Sequence, residues 1–313
     1  MMGAAFVIVQ ERSDRTVQDP GETSFFLNVP ELGVIPADES GARVRLHFVG
    51  NKPLPAKPAV ENLVARAKSG VELVTWQRKP SLIAESFRAT LVSILFSGET
   101  GRHPRVLVIT SSSPSEGKST VVSNLGIAIA EVNHKTLLID ADLRRPRLHT
   151  IFNLKNDNGL SDLLKSKDPL GTLQEGVIQE THIPNLYVLT AGSTTAAATS
   201  LLYSNRMPEL LKKFREEFET VLIDTPPMLQ IPDARVLGRM VDTVVLVVRA
   251  GKTTRDAASA ARQRFSEDGT PILGTILNDW HPKRSANGTY YQSGYYASYQ
   301  GYHSKYNPEN SRT

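Results

Sequence analysis

Three short stretches carry residue types suited to phosphate chemistry. In the run 106–120, VLVITSSSPSEGKST, apolar residues lead into small, turn-forming ones and then into Gly117-Lys118-Ser119-Thr120. Strand, tight loop and helix start together make a phosphate cradle. Backbone N–H groups converge on the anion, the helix dipole favours negative charge, and a lysine reaches the outer phosphates. The usual pattern is G-x-x-x-x-G-K-[ST], and Ser112 stands where its first glycine is expected; an ordinary loop before a helix is the competing reading. In LLIDADLRRP, Asp140 ends an apolar run, Asp142 follows, and Arg144 and Arg145 come next. Two carboxylates this close beside a phosphate site need a cation between them, or one must protonate. Magnesium resolves that conflict; the alternative is a strand end with a solvated acidic turn. In VLIDTPP, Asp224 ends another apolar run, as expected for a carboxylate that holds a nucleotide's magnesium. Its alternative role is a helix or turn cap. The three in this order are far less expected by accident than any one of them.

Elements able to position these residues are legible around them. Buried strands are predicted at 106–110, 135–140, 186–190, 220–224, 243–249 and 273–278, each a short apolar or β-branched run. Helices are predicted from Gly117 through Ala130, as an amphipathic run, and at 160–164, 204–218 and 255–268. A further helix at 81–96 has Leu82, Phe87, Leu91, Ile94 and Leu95 on one side and Glu85 and Arg88 on another. Apolar strands alternating with helices imply an α/β fold, a mainly parallel P-loop NTPase sheet with helices on both faces. Ligands bind such sheets at the carboxyl ends of the strands, where the aspartates fall.

Bulk properties narrow the function classes. A net charge of +4 with 22% charged residues is too mild to imply nucleic acid. With no cysteine there are no disulfides and no thiolate metal sites. No apolar run approaches the roughly 20 residues of a membrane helix; the start, MMGAAFVIV, lacks the basic region of a secretory signal. Residues 1–79 read as a linker region with a proline cluster, NKPLPAKP, and at most a strand near 43–49 and a helix near 59–68. Residues 80–283 form the expected catalytic domain. Residues 284–313 hold Tyr290, Tyr291, Tyr295, Tyr296, Tyr299, Tyr302 and Tyr306, seven of the nine tyrosines, among Gly, Ser, Asn and Gln. No core can form there, so a disordered tail is expected, and taken alone it reads as a low-complexity sticky segment.

SSSPSEGKST, LLIDADLRRP and VLIDTPP resemble the Walker A, A′ and B motifs of the bacterial tyrosine kinases, the autokinases of capsule and exopolysaccharide systems. The resemblance extends through NGLSDLL, DTPPMLQIPDARVLGRMVD and GTILN. Related partition and division-site ATPases carry a signature lysine where this chain has Ser113, which favours the kinase branch. The G-x-G-x-x-G, H-R-D and D-F-G signatures of eukaryotic-type kinases are absent.

The resemblance implies roles. Ser113, Pro114, Ser115, Glu116, Gly117, Lys118, Ser119 and Thr120 would bind ATP, with Lys118 on the β- and γ-phosphates and Thr120 on the α-phosphate. Asn278 would contact adenine. Ser119, Asp142 and Asp224 would hold Mg2+, and Lys118, Asp140 and Asp142 would be catalytic, with Asp140 as the base. The tail tyrosines would be the autophosphorylation cluster. Glu85 and Arg88 would be ring-assembly contacts of a homo-oligomer, although Leu91 departs from the usual basic third position. MMGAAFVIVQERSDRT and VPELGVIP resemble the cytoplasmic exit of a chain-length regulator's last membrane helix. A membrane activator and a cognate tyrosine phosphatase are the implied partners, with no nucleic acid, and the implied location is cytoplasmic, at the inner membrane through a partner. GSTTAAAT replaces a proline-rich segment common in relatives. Alternative functions are a non-kinase partition-type ATPase switch and a nucleotide-binding scaffold.

Overall fold

The computed structural model describes residues 15–38, 70–79, 81–97, 103–167, 176–193 and 197–281. The strand expected near 43–49, the helix near 59–68, the apolar start and the tyrosine tail lie outside the described residues, as do positions 194–196 of GSTTAAAT. In chain order the elements are α1 (Glu22–Leu27), β1 (Glu31–Pro36), α2 (Val74–Gln77), α3 (Leu82–Phe96), β2 (Val106–Ser111), α4 (Lys118–Glu131), β3 (Thr136–Asp140), α5 (Leu148–Phe152), α6 (Leu160–Lys165), β4 (Ile178–Glu180), β5 (Leu186–Leu189), α7 (Ala198–Leu202), α8 (Arg206–Glu217), β6 (Thr220–Asp224), α9 (Asp233–Gly238), β7 (Thr243–Arg249), α10 (Arg255–Glu267) and β8 (Ile272–Trp280).

The strands form one sheet in the order β1-β8-β7-β2-β6-β3-β5-β4. Every pairing is parallel except β4 with β5. β2, β3 and β6 are buried along their whole length because both sheet faces are covered. Leu107, Ile109 and Leu138 point to the face covered by α3 and α4, whereas Val106, Val108 and Ile139 pack with Phe214 of α8 and Phe265 of α10. Each such side chain contributes about 1.5–3 kcal/mol by leaving water, which explains why these strands read as unbroken apolar runs. From β2 the chain crosses to β3 on one side, and β7 later pairs on the other. That reversal opens a crevice at the carboxyl ends of β2, β6 and β3.

Three differences from the sequence reading stand out. α4 is not amphipathic: it is buried nearly all round, between the sheet and α3. In α3, Ile83 and Ala84 join Phe87, Leu91 and Ile94 in the core, while Leu82 and Leu95 are half-buried. Leu91 therefore faces inward, so its apolar character is a packing requirement. Finally, residues 15–38 and 70–79, read as linker, pack on the domain. VPELGVIP supplies β1, an edge strand beside β8 with Leu32 and Ile35 buried. α2 and the turn before it dock on α4 through Asn124, which accepts the Thr75 N–H at 2.9 Å and donates to the Val71 carbonyl at 2.8 Å.

The seating of β1 depends on a glycine. The Thr275 N–H donates to the Pro30 carbonyl at 2.8 Å, and a Cβ on Gly274 would lie 2.3 Å from that same oxygen. Overpacking costs about 1–3 kcal/mol, at roughly 2–4 °C of Tm per kcal/mol for a domain this size. Gly274→Ala is therefore expected to melt several degrees below wild type by calorimetry. An unchanged Tm would contradict the close packing of residue 30 on β8.

Candidate active site

The loop between β2 and α4 is shaped by two left-handed residues, Ser115 at φ 60 and Gly117 at φ 95. Ser112 is not one of them, so the position where a glycine was expected needs none. Its hydroxyl donates instead to both carboxylate oxygens of Glu116 at 3.2 Å. Glu116 is fully buried and also accepts from the Ser113 N–H at 3.0 Å and the Thr253 hydroxyl at 2.6 Å. Its carboxylate thus faces back into its own loop rather than towards a ligand. On the outer side, Arg249 donates to the Ser115 carbonyl at 2.9 Å and Lys252 to the Pro114 carbonyl at 3.0 Å. Asn278 donates its amide to the Glu116 carbonyl at 2.9 Å and fills the space a Cβ on Gly117 would take. One donor of the amide expected at the adenine is thus bonded to the loop. These contacts leave the turn carbonyls occupied from behind.

Lys118, Ser119 and Thr120 form the first turn of α4. Lys118 is almost buried, at 9% exposure. The Ser119 hydroxyl donates to Asp224 Oδ2 at 2.5 Å. Asp224 and Asp140 end adjacent parallel strands directly opposite one another. Both are buried, and each keeps one oxygen, Oδ1, with no hydrogen-bond partner. Asp140 Oδ2 accepts the N–H groups of Arg147 and Leu148 at 2.8 and 2.9 Å, capping the start of α5. Asp142 is half-buried and accepts the Arg145 N–H at 3.0 Å.

Electrostatics follow from this crowding. Burial, then the charge of Asp224, raises the Asp140 carboxyl well above its ordinary value. Burial raises Asp224 to about 6 despite the Ser119 hydrogen bond and the nearby Lys118 charge. Burial also raises Asp142, against its backbone hydrogen bond to Arg145 and the charge of Lys118. Among the described residues no three acidic or histidine side chains converge as a ready-made metal cage. Two orphaned buried carboxylate oxygens beside a serine hydroxyl and a phosphate-type loop do fit a magnesium ion, which takes one or two carboxylates and fills its shell from phosphate and water.

The structure thus brings Ser113–Thr120, Asp140, Asp142, Asp224 and Asn278 to one crevice. Glu85 and Arg88 lie apart on α3, where Arg88 pairs with Glu85 and also donates to Glu131 of α4 at 3.1 and 3.0 Å. The tail tyrosines lie outside the described residues. Sequence reasoning missed the Thr253, Arg249 and Lys252 contacts, whose partners stand more than 130 positions away.

The raised carboxyls set a pH dependence. An unfolded aspartate titrates near about 3.9, so between that value and about 6 the unfolded chain ionises Asp224 while the folded one holds it protonated. Folded stability is therefore lost as pH rises through that window, and Asp140 acts in the same direction. In metal-free buffer Tm is expected to fall between about pH 4 and 6, with Asp224→Asn flattening the slope. An identical slope in the variant would contradict this assignment.

The AAA domain family matches residues 105–260. The tyrosine-protein kinase YwqD of Bacillus subtilis is 37% identical over 218 residues, spanning 70% of this chain and 88% of that protein. The tyrosine-protein kinase CpsD of Streptococcus agalactiae is 34% identical over 217 residues, 68% of this chain and 90% of that one. The kinase domain of the Escherichia coli tyrosine kinase ETK superposes with a TM-score of 0.69 at 32% identity, covering 86% of this chain and 97% of that one. At this identity and coverage the chain belongs to the bacterial tyrosine-protein kinases.

Proposed function

We propose that this kinase uses ATP and Mg2+ to phosphorylate the tyrosine cluster of its own C-terminal tail, in a system that polymerises or exports a capsule or exopolysaccharide. The observation that carries the reading is the facing pair Asp140 and Asp224, each with an unbonded oxygen, beside Ser119 and Lys118. Bound magnesium would neutralise charge on the β- and γ-phosphates. Lys118 binds the same oxygens, and the N–H groups of the left-handed turn and the α4 start orient them. A tail tyrosine Oη attacks the γ-phosphorus, the bond to the β–γ bridging oxygen breaks, and ADP leaves. The phenolic proton passes to Asp140 Oδ1, an oxygen not used in capping α5; the bound cation would keep that carboxyl ionised until the transfer. Asp142, near Lys118, is the second carboxylate at the metal. The set is small because phosphoryl transfer needs chiefly positioning and charge neutralisation.

The proposed organisation is a kinase domain followed by the tyrosine tail at 284–313. The proposed partners are further copies of the chain, through Glu85 and Arg88, a membrane activator and a tyrosine phosphatase; that activator would hold the kinase at the inner face of the membrane. No helix among the described residues is long and apolar enough to cross a membrane. Assembly through Arg88 would require it to share or exchange its bond to Glu131.

Removing one preorganised charge donor slows transfer by about 10²–10³. Purified wild type with ATP and Mg2+ should gain phosphate on Tyr290–Tyr306 peptides by mass spectrometry, and Lys118→Met should lose that label. A variant that labels at the wild-type rate would refute the site. Phosphate release with no label on the tail would favour the ATPase-switch alternative.

A further inference from the structure

Arg144 stands two residues after Asp142, so its guanidinium could pair with the very carboxylates that a cation needs. It is held elsewhere. Its Nη2 donates to the Thr199 hydroxyl at 3.0 Å and its Nε lies 3.9 Å from Asp233 Oδ2. The Thr199 hydroxyl in turn donates to Asp233 Oδ1 at 2.5 Å. Asp233 is fully buried in the first turn of α9, and its Oδ2 has no hydrogen bond, which leaves the guanidinium charge as compensation. Three segments therefore meet at this point: the loop after β3, helix α7, and the end of the loop that begins at Asp224. Neither Thr199 nor Asp233 has a part in the transfer chemistry above.

We infer that Thr199 and Asp233 are positioning residues that hold Arg144 away from Asp140, Asp142 and Asp224, keeping those carboxylates available to a divalent cation bound with nucleotide. The inference rests on the nucleotide–magnesium reading of the crevice. An opposite charge within about 4–6 Å changes a carboxylate's proton affinity by about 1–3 pKa units. A cation competing for the same oxygens meets the same charge, so a released guanidinium weakens its binding roughly tenfold or more. Asp233→Asn keeps the shape of the site and removes its attraction for Arg144. Thr199→Val keeps the volume and removes the bridging hydroxyl.

The test is calorimetric ADP binding to the full chain, in Mg2+ and in EDTA. Wild type should bind ADP more tightly with Mg2+. Asp233→Asn and Thr199→Val should each lose roughly tenfold of that gain, with affinity in EDTA unchanged. Adding Arg144→Ala to Asp233→Asn should restore the gain, which a merely structural role for Asp233 would not allow. The inference is overturned if both single variants keep the full gain, if the loss persists in Arg144→Ala/Asp233→Asn, or if affinity in EDTA falls equally. Should Asp233→Asn show no cooperative melt, Thr199→Val and Thr199→Val/Arg144→Ala decide by the same criteria. A wild type indifferent to Mg2+ would overturn the site reading and this inference together, whereas the other outcomes overturn this inference alone.

Discussion

Two buried carboxylates face each other across adjacent parallel strands, and the rest of the site is arranged around that repulsion. Asp140 and Asp224 are held in register by the β3–β6 ladder, so neither can move away without unzipping the centre of the sheet. Burial raises both carboxyls, and the mutual charge adds to the effect at Asp140. Such a pair is stable only with a proton, a cation or donors to share. The chain supplies partial relief: the α5 N–H groups on Asp140, the Ser119 hydroxyl on Asp224 and the charge of Lys118 nearby. What remains unsatisfied is one oxygen on each carboxylate. The stability of the centre and its affinity for a cation are then two expressions of one constraint.

A phosphate loop is useful only if its backbone is set before the ligand arrives, since preorganised donors need no rearrangement in the transition state. In this chain a buried glutamate does much of that setting. Glu116 gathers Ser112, the Ser113 N–H and Thr253 around one carboxylate, while Arg249, Lys252 and Asn278 secure the turn's carbonyls. Thr253 and Lys252 sit on the turn after β7, and the Val17 N–H donates to the Thr253 carbonyl at 2.8 Å. The loop is therefore tied to the sheet on its far side, and the early segment of the chain is tied to the same turn.

Much of this was legible in the sequence for a definite reason. β2, β3, β6 and β7 are covered on both faces, so nearly every position is apolar and the runs are unmistakable. The aspartates mark where two of those runs stop. β1 and β4 were not legible: one is an edge strand interrupted by Gly33 and ended by Pro36, the other spans only the half-buried Ile178 and Gln179 and the exposed Glu180. Neither has the burial that imposes a pattern. Leu91 looked like a missing interface residue until its inward direction on α3 became visible. The side chains that brace the loop, and the Arg144–Thr199–Asp233 cluster, join residues far apart in the chain. No local pattern in a single sequence encodes such pairings, and Glu116 carried no sign that its carboxylate turns inward.

The central claim is that Asp224, bonded to Ser119 and facing Asp140, is part of a cation site completed by nucleotide. Manganese is a paramagnetic substitute for magnesium with the same preference for oxygen ligands, so electron paramagnetic resonance can count ions bound to the chain in the presence of ADP. The account predicts one tightly bound manganese per wild-type chain with ADP, and loss of that ion in Asp224→Asn while the variant still melts cooperatively. Equal manganese occupancy in wild type and Asp224→Asn would contradict it.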